Sequence, residues 1–206
     1  DKNAVTYRTY RINKDLQIWL VENRDYRSPN LSKDTVGKSI WGEKQKKWLK
    51  ETLLASSATY KILISPTPMV GPDDAHKIDN HANIGGFSYE GKEFFNWLKS
   101  NNISPKQFFI VCGDRHWQYH SIHPTGYHEL SNGSLTDQSS RKGRKPGDPE
   151  SSDPNSLIQQ SFLQENPTGG FIKVSINKTS QLTFTIFDDE GSVLHEHKVE
   201  KGVVAN

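Results

Sequence analysis

The segment richest in chemistry is Phe108-Phe109-Ile110-Val111-Cys112-Gly113-Asp114-Arg115-His116-Trp117-Gln118-Tyr119-His120. An apolar run ends in glycine, then offers a carboxylate and an imidazole two residues apart. In α/β proteins ligands gather beyond the carboxyl ends of strands, where side chains from neighbouring strands converge. Asp114 supplies a hard oxygen and His116 an imidazole nitrogen, a mixture suited to Fe, Zn or Mn. Gly113 lets the backbone turn sharply enough for both to face one site. The plainer reading is a strand-end Asp capping a turn beside a surface His.

Two more Asp-x-His triplets, Asp74-Ala75-His76 and Asp79-Asn80-His81, lie upstream in one polar stretch. Asp and Asn there are ordinary turn formers, but a polar loop between two strands can close over the same crevice. Arg24 and Arg27 follow a probable strand; the guanidinium fork matches phosphate oxygens, and a pair of solvated loop arginines is the alternative. Arg141-Lys142-Gly143-Arg144-Lys145 is a basic run that could grip a polyanion or simply sit in solvent. His120 lies four residues past His116 and would join it if the chain turned helical there. His195 and His197 alternate, so they share one strand face, either an exposed one or one that holds a metal. No Walker loop, Gly-x-Ser-x-Gly, cysteine pair or dinucleotide fingerprint occurs, so those chemistries lose their usual support.

The elements that would position these groups follow from periodicity. Residues 6–11 and 16–21 are short runs joined by Ile12-Asn13-Lys14-Asp15, a hairpin feeding a sheet, with a loop over 22–29. Trp41, Gln45, Trp48, Leu49 and Leu53 recur at helical steps and predict a helix over 42–54. Residues 61–65 form a compact apolar strand stopped by Pro66 and Pro68, and 69–86 a long polar loop. A second amphipathic helix spans 89–101, and 108–112 is a buried strand. This alternation favours a parallel or mixed sheet with covering helices. Residues 139–156 predict a mobile loop, 157–163 a short helix, and 170–176, 181–187 and 192–199 three strands. Asp188-Asp189-Glu190-Gly191 is a hairpin signal between the last two.

The 206 residues suffice for one domain or a large piece of a bigger one, and a net charge of +2 argues against a whole-surface nucleic-acid or membrane binder. A mean hydropathy of −0.77 is polar, yet 5 Trp, 7 Tyr and 9 Phe exclude a disordered chain and leave a thin core. Cys112 is the only cysteine, so no intrachain disulfide forms. No apolar run nears the roughly 20 residues that span a bilayer. Asp1-Lys2-Asn3-Ala4 has neither the basic start nor the apolar stretch of a signal peptide, so the protein is cytosolic or its true start has been removed.

Read together, the segments resemble the PhoD-like alkaline phosphatases, members of the calcineurin-like metallophosphoesterases. Tyr7-Arg8-Thr9-Tyr10-Arg11, residues 16–21 and Glu22-Asn23-Arg24-Asp25-Tyr26-Arg27 resemble one block of that family, and Trp41-Gly42 with Gln45 and Trp48-Leu49 a second. Ile64-Ser65-Pro66-Thr67-Pro68 with Asp79-Asn80-His81-Ala82-Asn83 and the helix of 93–98, then Cys112-Gly113-Asp114-Arg115-His116-Trp117, then the terminal strands resemble three more, in collinear order. Glu22 departs from the family's usual Asp. The family's early metal motifs are absent before Tyr7.

The resemblance implies an α/β fold: the C-terminal half of a metallophosphoesterase-type two-sheet sandwich with flanking helices, ending in antiparallel strands. Residues 1–206 would be the C-terminal part of a single domain, with the N-terminal half missing or supplied as a separate chain. It implies phosphatase or phosphodiesterase activity by metal-activated hydroxide attack on phosphorus, with no phospho-enzyme. Asp114 and His116 would ligate metal, His116, His81 and Asp79 would be catalytic, and Arg24 and Arg115 would bind substrate. It implies two or more divalent or trivalent metal ions, iron with calcium, a phosphate-ester small molecule as substrate, and a periplasmic or extracellular parent. Two donors are too few for a two-metal site, so the chain alone is expected to be inactive. The rival is a non-catalytic α/β module that uses the basic loop to hold an acidic glycan or nucleic acid.

Overall fold

The structure, a computed structural model, describes residues 4–199; the Asp1-Lys2-Asn3 start lies outside them. In chain order the elements are β1 Arg8–Arg11, β2 Leu16–Leu20, α1 Gly42–Ala55, β3 Tyr60–Ser65, α2 Ser88–Ser100, β4 Phe108–Cys112, β5 Gln118–Ile122, β6 His128–Asn132, β7 Gln159–Leu163, β8 Gly170–Ile176, β9 Leu182–Asp188 and β10 Val193–Lys198. They form a seven-stranded sheet, β1-β2-β3-β4-β6-β5-β7, and a three-stranded sheet, β10-β9-β8. Strands β2, β3, β4 and β6 run parallel, so their carboxyl ends share one edge; the other pairings are antiparallel.

Alternation along the central strands divides the interior into two cores. Trp19, Leu63, Phe108 and Ile110 face α1 and α2, where Leu49, Leu53, Phe94, Phe95 and Leu98 meet them. Leu16, Ile62, Phe109 and Leu130 point the other way, against Leu182, Phe184 and Ile186 of the second sheet. Each such fully buried side chain stabilises the fold by roughly 1.5–3 kcal/mol. The molecule is thus an α/β two-sheet sandwich with helices on one outer face, ending in antiparallel strands. Among the described residues no helix is long and apolar enough to cross a membrane.

The expected helix at 157–163 is instead β7. Asp153 accepts the N–H groups of Leu157 and Ile158, each at 2.9 Å, four and five residues on, and closes a turn there. The chain leaves that turn extended because β5 offers a free edge, with Leu163 opposite Tyr119 and Phe162 packing into the second core. His120 is likewise in a strand, β5, so the helical turn that would bring it to His116 does not form. His195 and His197 are half-buried between the sheets, not on an exposed face. The hairpin at 188–191 forms as expected: Asp188 Oδ1 accepts the Ser192 N–H at 2.6 Å, and Gly191 adopts φ +88°.

The turn between β5 and β6 presses His123 onto Phe95 of α2, ring centroids 4.1 Å apart. Burial pushes the imidazole down from 6.5 to about 4. The unfolded chain therefore binds more protons than the native one below pH 6.5, and stability is lost as pH falls towards 4. Allowing for its partial exposure, His123 is expected to remove roughly 2 kcal/mol between pH 7 and pH 4.5. Denaturant titrations of wild type and His123→Gln at both pH values check this; an identical pH dependence in the two proteins would refute it.

Candidate active site

The carboxyl edge of the parallel strands gathers the loops that follow β2, β3 and β4. Val21 N–H donates to Ile64 O at 3.2 Å and Gly113 N–H to Ser65 O at 3.1 Å, so pairing continues to the strand tips. At the β4 tip Asp114 sits at φ +66°, in the left-handed region that L residues enter at a cost of about 1 kcal/mol. Its exposed carboxylate has one modest contact, 3.4 Å to Arg115 Nη1.

Arg115 turns inward. It is 3 % exposed, and its Nη2 lies 2.6 Å from Asp73 Oδ2. Asp73 is fully buried; Oδ1 accepts the Asp74 N–H at 2.7 Å and Oδ2 the Asn80 side-chain amide at 3.0 Å. Burial pushes the Asp73 carboxyl up, and the Arg115 charge opposes that shift. Arg115 thus clasps the polar loop to the β4 tip and presents its other Nη to Asp114, rather than offering a free fork to solvent.

His116 is exposed, and its Nδ1 bonds the carbonyl oxygen of Ser139. A carbonyl can only accept, so Nδ1 carries a proton, and in the neutral ring that tautomer puts the lone pair on Nε2. That is the arrangement a metal-binding or proton-accepting imidazole requires. The 139–145 segment is drawn over this corner: Arg141 N–H donates to His116 O at 2.9 Å, and Gly143 packs on the Trp117 indole so closely that a Cβ would lie 2.2 Å from the ring. Arg141 and Arg144 pair with Asp74 at 3.2 and 2.6 Å, and Arg144 also with Asp148 and Glu150. Both arginines are engaged by the chain's own carboxylates, although Arg141 stays half exposed.

Arg24 is exposed at the same edge, and the loop that carries it is shaped by Glu22, whose carboxylate accepts the N–H groups of Arg24 and Asp25 at 2.6–2.9 Å. Gln45 of α1 grips the Glu22 backbone from both sides, at 2.7 and 2.8 Å. The longer Glu22 side chain is therefore spent on the loop. Asp79 is half-buried with Oδ1 unpartnered. His81 is buried, its Nε2 3.0 Å from Glu90 and its ring 4.7 Å from that of Trp41; its Nδ1 has no partner. Burial pushes Glu90 up, but His81, the Ser39 hydroxyl and the Ile40 N–H together bring it down to about 2. The geometry gathers Asp114, Arg115 and His116 at one corner, whereas His81 is committed to Glu90.

Asn23 escaped the sequence reading. It is fully buried at the β2 tip, donating to Ser65 Oγ at 3.3 Å and Thr67 Oγ1 at 2.7 Å, with Oδ1 unpartnered. Its signal was a polar Asn two residues past the apolar run 16–21, facing Ser65 and Thr67 at the end of another. A carboxylate and an imidazole such as Asp114 and His116 are donor types that suit a metal of the Fe, Mn or Zn kind, and the orphaned Asn23 oxygen is a further buried polar atom without a partner. Cys112 is buried and burial pushes its thiol well up, so it is no nucleophile.

A family profile described as PhoD-like phosphatase matches residues 1–191, and the chain belongs to that family. Among solved structures it is similar to PhoD, with 16 % identity and a TM-score of 0.65 over 97 % of this chain and 44 % of that one. It is similar to the purple acid phosphatase PPD1 of yellow lupin (Lupinus luteus) seeds, with 11 % identity and a TM-score of 0.60 over 96 % and 33 %. A dimetal phosphatase of Danio rerio is alike at 10 % identity and a TM-score of 0.55 over 95 % and 60 %. At these identities the likeness is one of fold. The chain spans less than half the length of the PhoD structure it matches. No curated protein sequence matches it.

Proposed function

We propose that this chain carries part of the active site of a metal-dependent phosphoric-ester hydrolase, a phosphatase or phosphodiesterase, within a longer or two-chain enzyme. The observation that carries the reading is the β4 tip: a strained, exposed Asp114 beside a His116 whose Nδ1 is tied down, leaving Nε2 to accept. Bound metal ions, iron with calcium by resemblance, would supply the positive charge that acidifies water and neutralises phosphoryl oxygens. Asp114 and His116 hold that charge in place. Arg115, braced by Asp73, fixes the Asp114 carboxylate, and Arg24 offers a fork to a phosphate oxygen. Asp79, whose Oδ1 has no partner, would pass a proton to the leaving alcohol, while His81 holds the loop through Glu90. The resemblance also points to a periplasmic or extracellular site of action.

The remaining ligands must come from outside this chain, since Asp114 and His116 do not fill two coordination shells. Hydrolysis of p-nitrophenyl phosphate and bis-p-nitrophenyl phosphate, with iron and calcium added, tests this. The full natural polypeptide is expected to turn over at least one of them, and the 206-residue chain alone neither. Turnover by the isolated chain at a rate near the full polypeptide's would defeat the reading.

A further inference from the structure

Between the two sheets, on the face of β5 and β6 away from the helices, four imidazoles meet. His120 comes from β5, His128 from β6, and His195 and His197 from β10. Nitrogens of His120, His128 and His197 lie within 4.8 Å of one another. His120 Nε2 is 2.8 Å from His128 Nδ1, and His120 Nδ1 is 3.0 Å from His195 Nε2. His197 stacks on His128 with ring centroids 4.7 Å apart.

We propose that His120, His128 and His197 form a zinc-class transition-metal site that staples the two sheets together, with His195 holding the His120 ring. Tetrahedral zinc bonds nitrogen at 2.0–2.1 Å, which sets ligand nitrogens about 3.3 Å apart, so the cluster needs small side-chain movements to close on an ion. The purely imidazole donor set selects zinc, copper, cobalt or nickel over calcium or magnesium. When His120 binds through Nε2, its Nδ1–H donates to His195 Nε2, the outer hydrogen bond that fixes a ligating histidine's tautomer. Burial first, then the other imidazoles, hold His120 down to about 2, and burial with His197 holds His128 to about 4, so both rings are neutral near pH 7 as ligation requires. A cleft lined by Pro105, Phe109, Gly126, His128, His197 and Lys198 gives an ion access and leaves room for a fourth ligand.

This centre is separate from the candidate active site. His128 pairs with Phe109, five residues before Asp114 along the chain, a distance of about 16 Å at strand rise. A ligand set drawn from β5, β6 and β10 ties the seven-stranded sheet to the three-stranded one, so metal binding becomes folding free energy.

Zinc titrations of the metal-stripped protein, read by calorimetry and thermal melting, test the site. Wild type is expected to bind one more equivalent than His128→Gln, and to melt on the order of 10 °C higher at free zinc about 1,000-fold above its Kd. His195→Ala, which keeps all three ligands, should weaken binding about 10- to 100-fold. Cobalt should give the visible bands of a tetrahedral nitrogen-ligated ion in wild type, a readout that needs no variant. Equal zinc stoichiometry and affinity in wild type and His128→Gln, or no tetrahedral cobalt bands in wild type, would overturn the proposal.

Discussion

Asp114→Ala is expected to lower kcat/KM for phosphoester hydrolysis by the full polypeptide about 1,000-fold, a loss of about 4 kcal/mol of transition-state stabilisation. The fold should survive, because the carboxylate is exposed and its one ion pair is the 3.4 Å contact with Arg115. The variant that separates function from stability is Asp114→Gly. Glycine relieves the φ +66° conformation, so this protein should be as inactive as Asp114→Ala yet more stable by up to about 1 kcal/mol. Kinetics and thermal melts on the same preparations check the pair. If Asp114→Gly melted several degrees lower than wild type, the strain would be structural rather than functional.

Glu129→Ala is expected to destabilise the fold by about 4 kcal/mol, the largest effect we anticipate from one side chain. Glu129 is fully buried on β6 and accepts the N–H groups of Met69, Val70 and Gly71 at 2.6, 3.0 and 2.9 Å and the Tyr119 hydroxyl at 2.8 Å. Burial pushes its carboxyl up, while those donors favour the anion. Truncation leaves four buried donors without an acceptor, each at a cost of about 1–3 kcal/mol before local water entry and relaxation. Residues 69–71 open the loop that carries Asp73, so the damage should reach Arg115 and Asp114. Urea unfolding reads the stability; a loss below about 1 kcal/mol would show that Glu129 does not anchor this loop.

The first half of the chain was legible because its strands and helices bury apolar side chains at their own periods. Trp19, Leu63 and Ile110 alternate with Ile18, Ile62 and Val111, and Gln45, Leu49 and Leu53 keep helical steps. Strands β5 and β6 were missed because their buried faces are polar. Gln118, Glu129 and Ser131 are almost wholly enclosed, each held by hydrogen bonds that sequence does not display, and Ser121 is equally enclosed with its hydroxyl unpartnered. The Asp114 and His116 pair was visible as neighbours after a strand. The clasp of Arg115 on Asp73 joins residues 42 positions apart, and the histidine cluster joins β5 to β10. Such pairings are set by how the loop crosses the strand tips and how one sheet stacks on the other, not by local pattern.

The most direct test is to locate the metal in crystals of the iron- and calcium-loaded full polypeptide by anomalous scattering. The account predicts an ion bonded to the Asp114 carboxylate at the carboxyl end of β4, with His116 turned towards it. Active crystals whose metals all lie away from Asp114, with its carboxylate free in solvent, would contradict it.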